Sequence, residues 1–217
     1  MKPSPARLLR LTGVVVLGVA WAVAAHLTSA SGEASGWGAA LALCPLLLAL
    51  GVALWRLPHR GLAAAVALAS VGMLAWLWPL LRSQVALLYF VQQVGIYLML
   101  AVVFGRTLGG PGEPLVTQMA RRLHGGELSQ RQVTYTRGVT VAWTGFFLVM
   151  VAASSTLFLL ASPATWSFFA NLLGGPLMGL MFVAEYLVRC RRLPPAERAS
   201  LADAVRAWRQ HQSDSAS

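Results

Sequence analysis

Charge is thin in this chain, and negative charge is thinnest. Only 11% of the 217 residues are charged, 7 acidic against 17 basic. Soluble domains carry roughly 25% charged residues, so the polar surface that would coat a globule is missing. An apolar content of 57% excludes intrinsic disorder. Two cysteines, Cys44 in an apolar run and Cys190 in a basic one, exclude a disulfide scaffold. Histidine is as sparse: His26 lies in an apolar run, whereas His59, His124 and His211 fall in separate polar segments. Neither zinc nor haem ligation has a constellation to rest on, and no cofactor is expected. The Gly-Gly-Pro-Gly turn at 109–112 is not followed by the Gly-Lys-Ser/Thr of a P-loop, and no Gly-x-Ser-x-Gly elbow occurs.

What the chain has in quantity is long apolar runs. A helix crosses the hydrocarbon core with about 20 apolar residues. Six segments qualify: 11–30, 37–55, 61–81, 84–104, 139–161 and 165–188. The expected fold is an all-α bundle of six membrane helices, spanning 1–188, with a cytoplasmic loop at 105–138 and a basic tail at 189–217. Placing both termini inside collects 16 of the 17 basic residues on the inner flanks and leaves only Arg82 outside, as the positive-inside rule requires. The net charge of +10 then records topology and anionic lipid headgroups, not nucleic acid. The first segment, preceded by Lys2, Arg7 and Arg10, also has the layout of a cleavable signal peptide. Its length suits a retained span better. Gly18 and Ala22, four apart, would let it approach a neighbour closely.

Two basic amphipathic helices are expected on the inner face. At 114–123, Leu115, Val116, Met119 and Leu123 share one side, with Gln118, Arg121 and Arg122 on the other. In the tail, Leu201, Val205 and Trp208 align against Arg198, Arg206 and Arg209. Such helices either dip into the headgroup boundary or pack on the inner ends of the spans.

Polar residues inside apolar runs are costly and single out candidate sites. Tyr89, Gln93 and Tyr97 form a stripe at steps of four on the fourth span. The stripe is either interhelical glue or the wall of a pocket for an amphipathic ligand. On the sixth span, Gly174-Gly175-Pro176 interrupts the helix between Asn171 and Glu185. Counted at 100° per residue, those two lie within about 40° of one face, and Pro176 removes a backbone donor. Glu185 precedes Arg189 by four, the favourable order for a helical ion pair, or serves as a functional carboxylate. Asn171 and Glu185 join the stripe as lipid-binding candidates. Arg106, Arg121, Arg122 and Arg137, with Arg131 beside them and Arg189 further on, either fix topology or grip phosphates and carboxylates. Tyr135 and Trp143 flank the expected inner interface, as belt aromatics do. Thr136, Thr140 and Thr144 can satisfy their hydroxyls on their own helix.

The later part of the chain carries a resemblance. Phe104-Gly105-Arg106-Thr107-Leu108, Gly112-Glu113-Pro114-Leu115, Tyr135-Thr136-Arg137, Val139-Thr140, Trp143, Phe146-Phe147, Trp166-Ser167, Asn171, Pro176 and Phe182-Val183-Ala184-Glu185-Tyr186 occur in order. This pattern, over roughly residues 85–209, resembles small bacterial inner-membrane proteins found beside aryl-polyene and xanthomonadin-type pigment biosynthesis genes. The first three spans match only in being apolar.

The resemblance implies a setting in which a polyene carboxylic acid is built on an acyl carrier protein and placed on a membrane lipid. It implies an accessory that holds or hands over a lipid-like acyl intermediate, with membrane lipids and an acyl carrier protein as partners. The label "ketosynthase" given to some members does not suit this chain. A ketosynthase is a soluble thiolase-type fold with a cysteine nucleophile and paired histidines. An acyltransferase using Glu185 or His26 as base, and a flippase-like lipid transporter, are the alternative expectations.

Overall fold

Backbone amides have no water to bond in hydrocarbon, so each apolar run must close its own hydrogen bonds as helix. The computed structural model describes residues 5–31, 35–123 and 127–194. In chain order it contains α1 (Pro5–Ala30), α2 (Gly36–Trp55), α3 (Arg60–Ser83), α4 (Val85–Gly109), α5 (Leu115–Leu123) and α6 (Gln130–Leu160). A short α7 (Pro163–Ser167), a π-helical turn (Phe168–Leu173) and α8 (Gly174–Arg192) follow. There is no strand among the described residues. Six helical segments are long and apolar enough to cross a membrane, the last running through Pro163–Arg192. The fold is an all-α, multi-pass membrane bundle.

The described residues of Met1–Val94 and Ala153–Gly175 form one compact unit, and those of Gly95–Ala152 and Pro176–Ser217 form another. The first unit is built on small residues. Ala25, Ala39 and Ala42 are wholly buried against Val85, Tyr89 and Trp166. A Cβ on Gly38 would meet the Thr28 and Val85 side chains at 3.0 Å. Helices that approach this closely need a hydrogen at that position. In α1 the buried small residues are Ala25 and Ser29, whereas a Cβ at the expected Gly18 would face open space. Phe90 stacks on Phe158 at 4.2 Å, and Phe158 meets the Trp166 edge at 5.1 Å. Ser35 caps α2 by accepting from the Gly38 amide.

The second unit has an aromatic centre. Trp143 lies 4.7 Å from Phe182 and 5.5 Å from Phe147, and Phe147 stacks beside Tyr97. Trp143 is thus a core residue, not a belt residue. The expected loop at 105–138 is mostly helix: α4 runs on to Gly109, and α6 begins at Gln130. The early start has a local cause. The Ser129 hydroxyl accepts from the Gln132 amide, while the Gln132 side chain accepts from the Ser129 amide, a reciprocal capping box.

The amphipathic helix expected at 114–123 forms as α5, and it packs on the spans of its own unit. Its buried Thr117 bonds Thr136 of α6 at 2.8 Å. Its first amides donate to Thr107 and Thr140 hydroxyls. α8 continues through Arg192, so the tail assigned from 189 begins as helix. The amphipathic helix expected at 201–208 lies outside the described residues.

Candidate functional site

The second unit holds a groove of about 940 Å³ between α6 and α8. Its residues sort by position along the two helices. Gln130, Arg131, Arg191 and Arg192 stand at one end, and Val139, Ala142, Met181 and Ala184 form the apolar interior. Between them lie Tyr135 and Glu185. The Tyr135 hydroxyl donates to Glu185 Oε1 at 2.6 Å. Arg189 completes the group, Nη2 donating to Oε1 at 2.8 Å and to Oε2 at 3.0 Å, and Nε to Oε1 at 3.1 Å. The helical Glu185–Arg189 pairing expected from their spacing is therefore present. So is a third member, Tyr135, that lies 50 residues away in sequence. Ion pair and phenol leave the middle of the groove near neutral, while three exposed guanidinium groups make one end strongly cationic.

The other lipid-binding candidates are spent on structure. In the first unit, Gln93 accepts from Ser154 at 2.7 Å and donates to the Ala170 carbonyl at 3.3 Å. Ser154 also accepts from the Trp166 indole at 3.0 Å. Gln92 donates to the Ala42 carbonyl. The Tyr89 hydroxyl is buried beside Thr28 and closes no hydrogen bond of ordinary geometry among the described residues. Tyr97 belongs to the aromatic centre of the second unit. The stripe acts as glue at Gln93 and as packing at Tyr97.

Asn171 sits in the π-helical turn, where the Gly174 amide donates to the Phe169 carbonyl five residues back. Pro176, two residues beyond Gly174, offers no amide to the Leu172 carbonyl four before it. Asn171 lies in the first unit and Glu185 in the second, and Asn171 is not among the residues that line the groove. Asn171 Nδ2 instead donates to Ser29 at 3.1 Å and Ser167 at 3.2 Å. Ser29 and Ser167 share a hydrogen bond of 2.7 Å, and His26 Nδ1 lies 2.9 Å from Ser167 Oγ. Both hydroxyls are buried, Ser167 completely. Four polar side chains thus satisfy one another inside the first unit, as buried polar groups must.

Two arginines of the 105–138 stretch, Arg121 and Arg137, hold partners within the fold. Arg121 forms a two-pronged ion pair with Glu113. The Arg121 guanidinium, through that hydrogen bond, holds the Glu113 carboxyl below its ordinary value, and Glu113 raises Arg121 in return. Arg137 donates to the Leu108 carbonyl at 3.3 Å. Arg106 and Arg122 are exposed. The cations that line the groove are Arg131, which the sequence offered as a possible anion grip, and Arg191 and Arg192, which it offered only as topology signals. Their signal was position: they lie one or two turns from Tyr135 and Glu185 on helices whose pairing the sequence does not show. Among the described residues, no three His, Cys, Asp or Glu side chains gather as metal ligands.

Fold and groove together define the class: a polytopic helical membrane protein with an amphipathic cleft. No family model, curated protein or solved structure matches the chain.

Proposed function

We propose that the protein is a membrane accessory that holds an anionic, acyl-chain-bearing intermediate in the α6–α8 groove. The observation that carries this reading is the groove itself, apolar within and cationic at one end. Cavities of roughly 300–1,000 Å³ with apolar walls and few polar groups are the usual form of small-ligand sites. The apolar interior suits a hydrocarbon chain, and the guanidinium forks suit a carboxylate or phosphate. The resemblance to membrane proteins of pigment gene clusters supplies the setting, polyene-lipid assembly in a bacterial inner membrane. An acidic acyl carrier protein would dock on the exposed Arg106, Arg122 and Arg137.

The acyltransferase alternative draws on the 2.9 Å His26–Ser167 contact. Ser167 has no exposed surface and its hydroxyl is already shared with Ser29 and Asn171, so the arrangement favours packing over attack on a substrate.

The test uses the purified full-length protein in neutral detergent with cis-parinaric acid, a fluorescent polyene carboxylic acid, as the probe. Binding should saturate and weaken with salt. Arg191→Gln with Arg192→Gln should lower affinity by about fivefold per arginine, since a basic residue near an anionic surface is worth about 1 kcal/mol. Ala142→Trp with Ala184→Trp should block the site while leaving the melting temperature close to that of the parent. Probe binding unchanged by the tryptophans would overturn the reading.

A further inference from the structure

The middle of the groove carries more information than its ends. Glu185 Oε1 accepts from the Tyr135 hydroxyl and from both Nε and Nη2 of Arg189, whereas Oε2 accepts only from Arg189 Nη2 among the described residues. An ionised carboxylate has about four acceptor sites, two on each oxygen. Oε2 therefore has room for a further donor, on a side chain that lines the groove and is only 11% exposed. A ligand presenting bare methylene there would leave that oxygen unserved beside apolar walls, at a cost. A second anion at this level would meet the carboxylate. An ammonium would enter a groove that already holds three arginines with no ion pair among the described residues. A neutral hydroxyl fits.

Spacing along the helices agrees. Arg131 lies one turn of α6 from Tyr135, and Arg192 lies two turns of α8 from Glu185, about 6 and 10 Å along the axes. Flexible guanidinium arms bridge that interval. From the cationic end inward, the groove thus presents an anion site, then a hydroxyl acceptor, then apolar walls.

We propose that the groove selects a single-chain amphiphile whose hydroxyl lies a few bonds from its anion and donates to Glu185. The inference rests on the acyl-binding reading above and adds the chemistry of the ligand. Two sources share that chemistry: a 3-hydroxyacyl chain, and a lysophospholipid with its free glycerol hydroxyl.

The test measures displacement of cis-parinaric acid from the full-length protein in neutral detergent by two matched pairs. One pair is 3-hydroxymyristic acid and myristic acid. The other is 1-myristoyl-lysophosphatidic acid and its 2-O-methyl ether. A hydrogen bond to a charged group corresponds to about tenfold or more in affinity. The hydroxylated member should displace the probe at about tenfold lower concentration, and the pair with the larger ratio identifies the source. Glu185→Leu with Arg189→Met should abolish the advantage. Replacing a buried ion pair with apolar residues is often neutral for stability, and the ligand pairs test the unaltered protein in any case. Equal displacement within both pairs would overturn the hydroxyl site and leave acyl binding standing. Failure of all four compounds to displace the probe would overturn both.

Discussion

Glu113 and Arg121 show how one pair of side chains settles a local structure. Glu113 precedes α5, its carboxylate bonded to the Arg121 guanidinium and its carbonyl accepting from Gln118 at 2.6 Å. The pair closes the turn 110–114 onto the first two turns of the helix. Because the folded state holds the Glu113 carboxyl below its ordinary value, the pair's contribution to stability is present above the unfolded value. It is lost as pH falls through the lower folded one. Glu113→Gln should therefore melt below the parent near neutral pH, with the gap closing on acidification into and below the ordinary carboxylate range. Melting curves in detergent across that range test this, and a gap independent of pH would show that the carboxylate's charge is not involved. The pair is exposed, so salt should narrow the gap as well.

Helix ends decide more here than helix middles. Hydropathy locates the lipid-facing part of α6 and stops near residue 139, where the apolar run begins. The backbone has no reason to stop there, and two more polar turns continue to the Ser129–Gln132 capping box. Those extra turns carry Arg131, Thr134 and Tyr135 into the groove wall and Thr136 into its bond with α5. Ser129→Ala should cost about 0.5–2 kcal/mol and speed hydrogen exchange at the amides of residues 130–133. Unchanged protection there would show that packing of α5, not the cap, holds the start of α6. The π-helical turn is the complementary case. Pro176, just beyond it, was plain in the sequence, but the π register was not, because a missing amide can be met by a kink, by water or by a shift in register.

For the whole molecule, the charge distribution makes the boldest claim. With 16 of 17 basic residues on one side, both termini and the stretch bearing α5 should face the cytoplasm. A reporter active only in the cytoplasm should work when fused after Arg122 or at Ser217, and fail within 31–36. The reverse pattern would place the cationic end of the groove outside, away from any cytoplasmic carrier protein.

The sequence by itself determined the class, the number of spans and the Glu185–Arg189 pair, because each depends on local quantities: apolar run length, charge placement and four-residue spacing. Only the tertiary structure decided which polar residues line the groove. Gln93 and Asn171 looked as eligible as Glu185. A polar group in hydrocarbon must find some partner, and the sequence does not say whether that partner is a neighbouring helix or a ligand. Ser154 and Ala170 satisfy Gln93, and Ser29 and Ser167 satisfy Asn171. Glu185, held by Tyr135 from 50 residues away and by its own helical neighbour, keeps an oxygen in a groove. Long-range pairing of helices assigns partners, and it leaves little trace in the order of the residues.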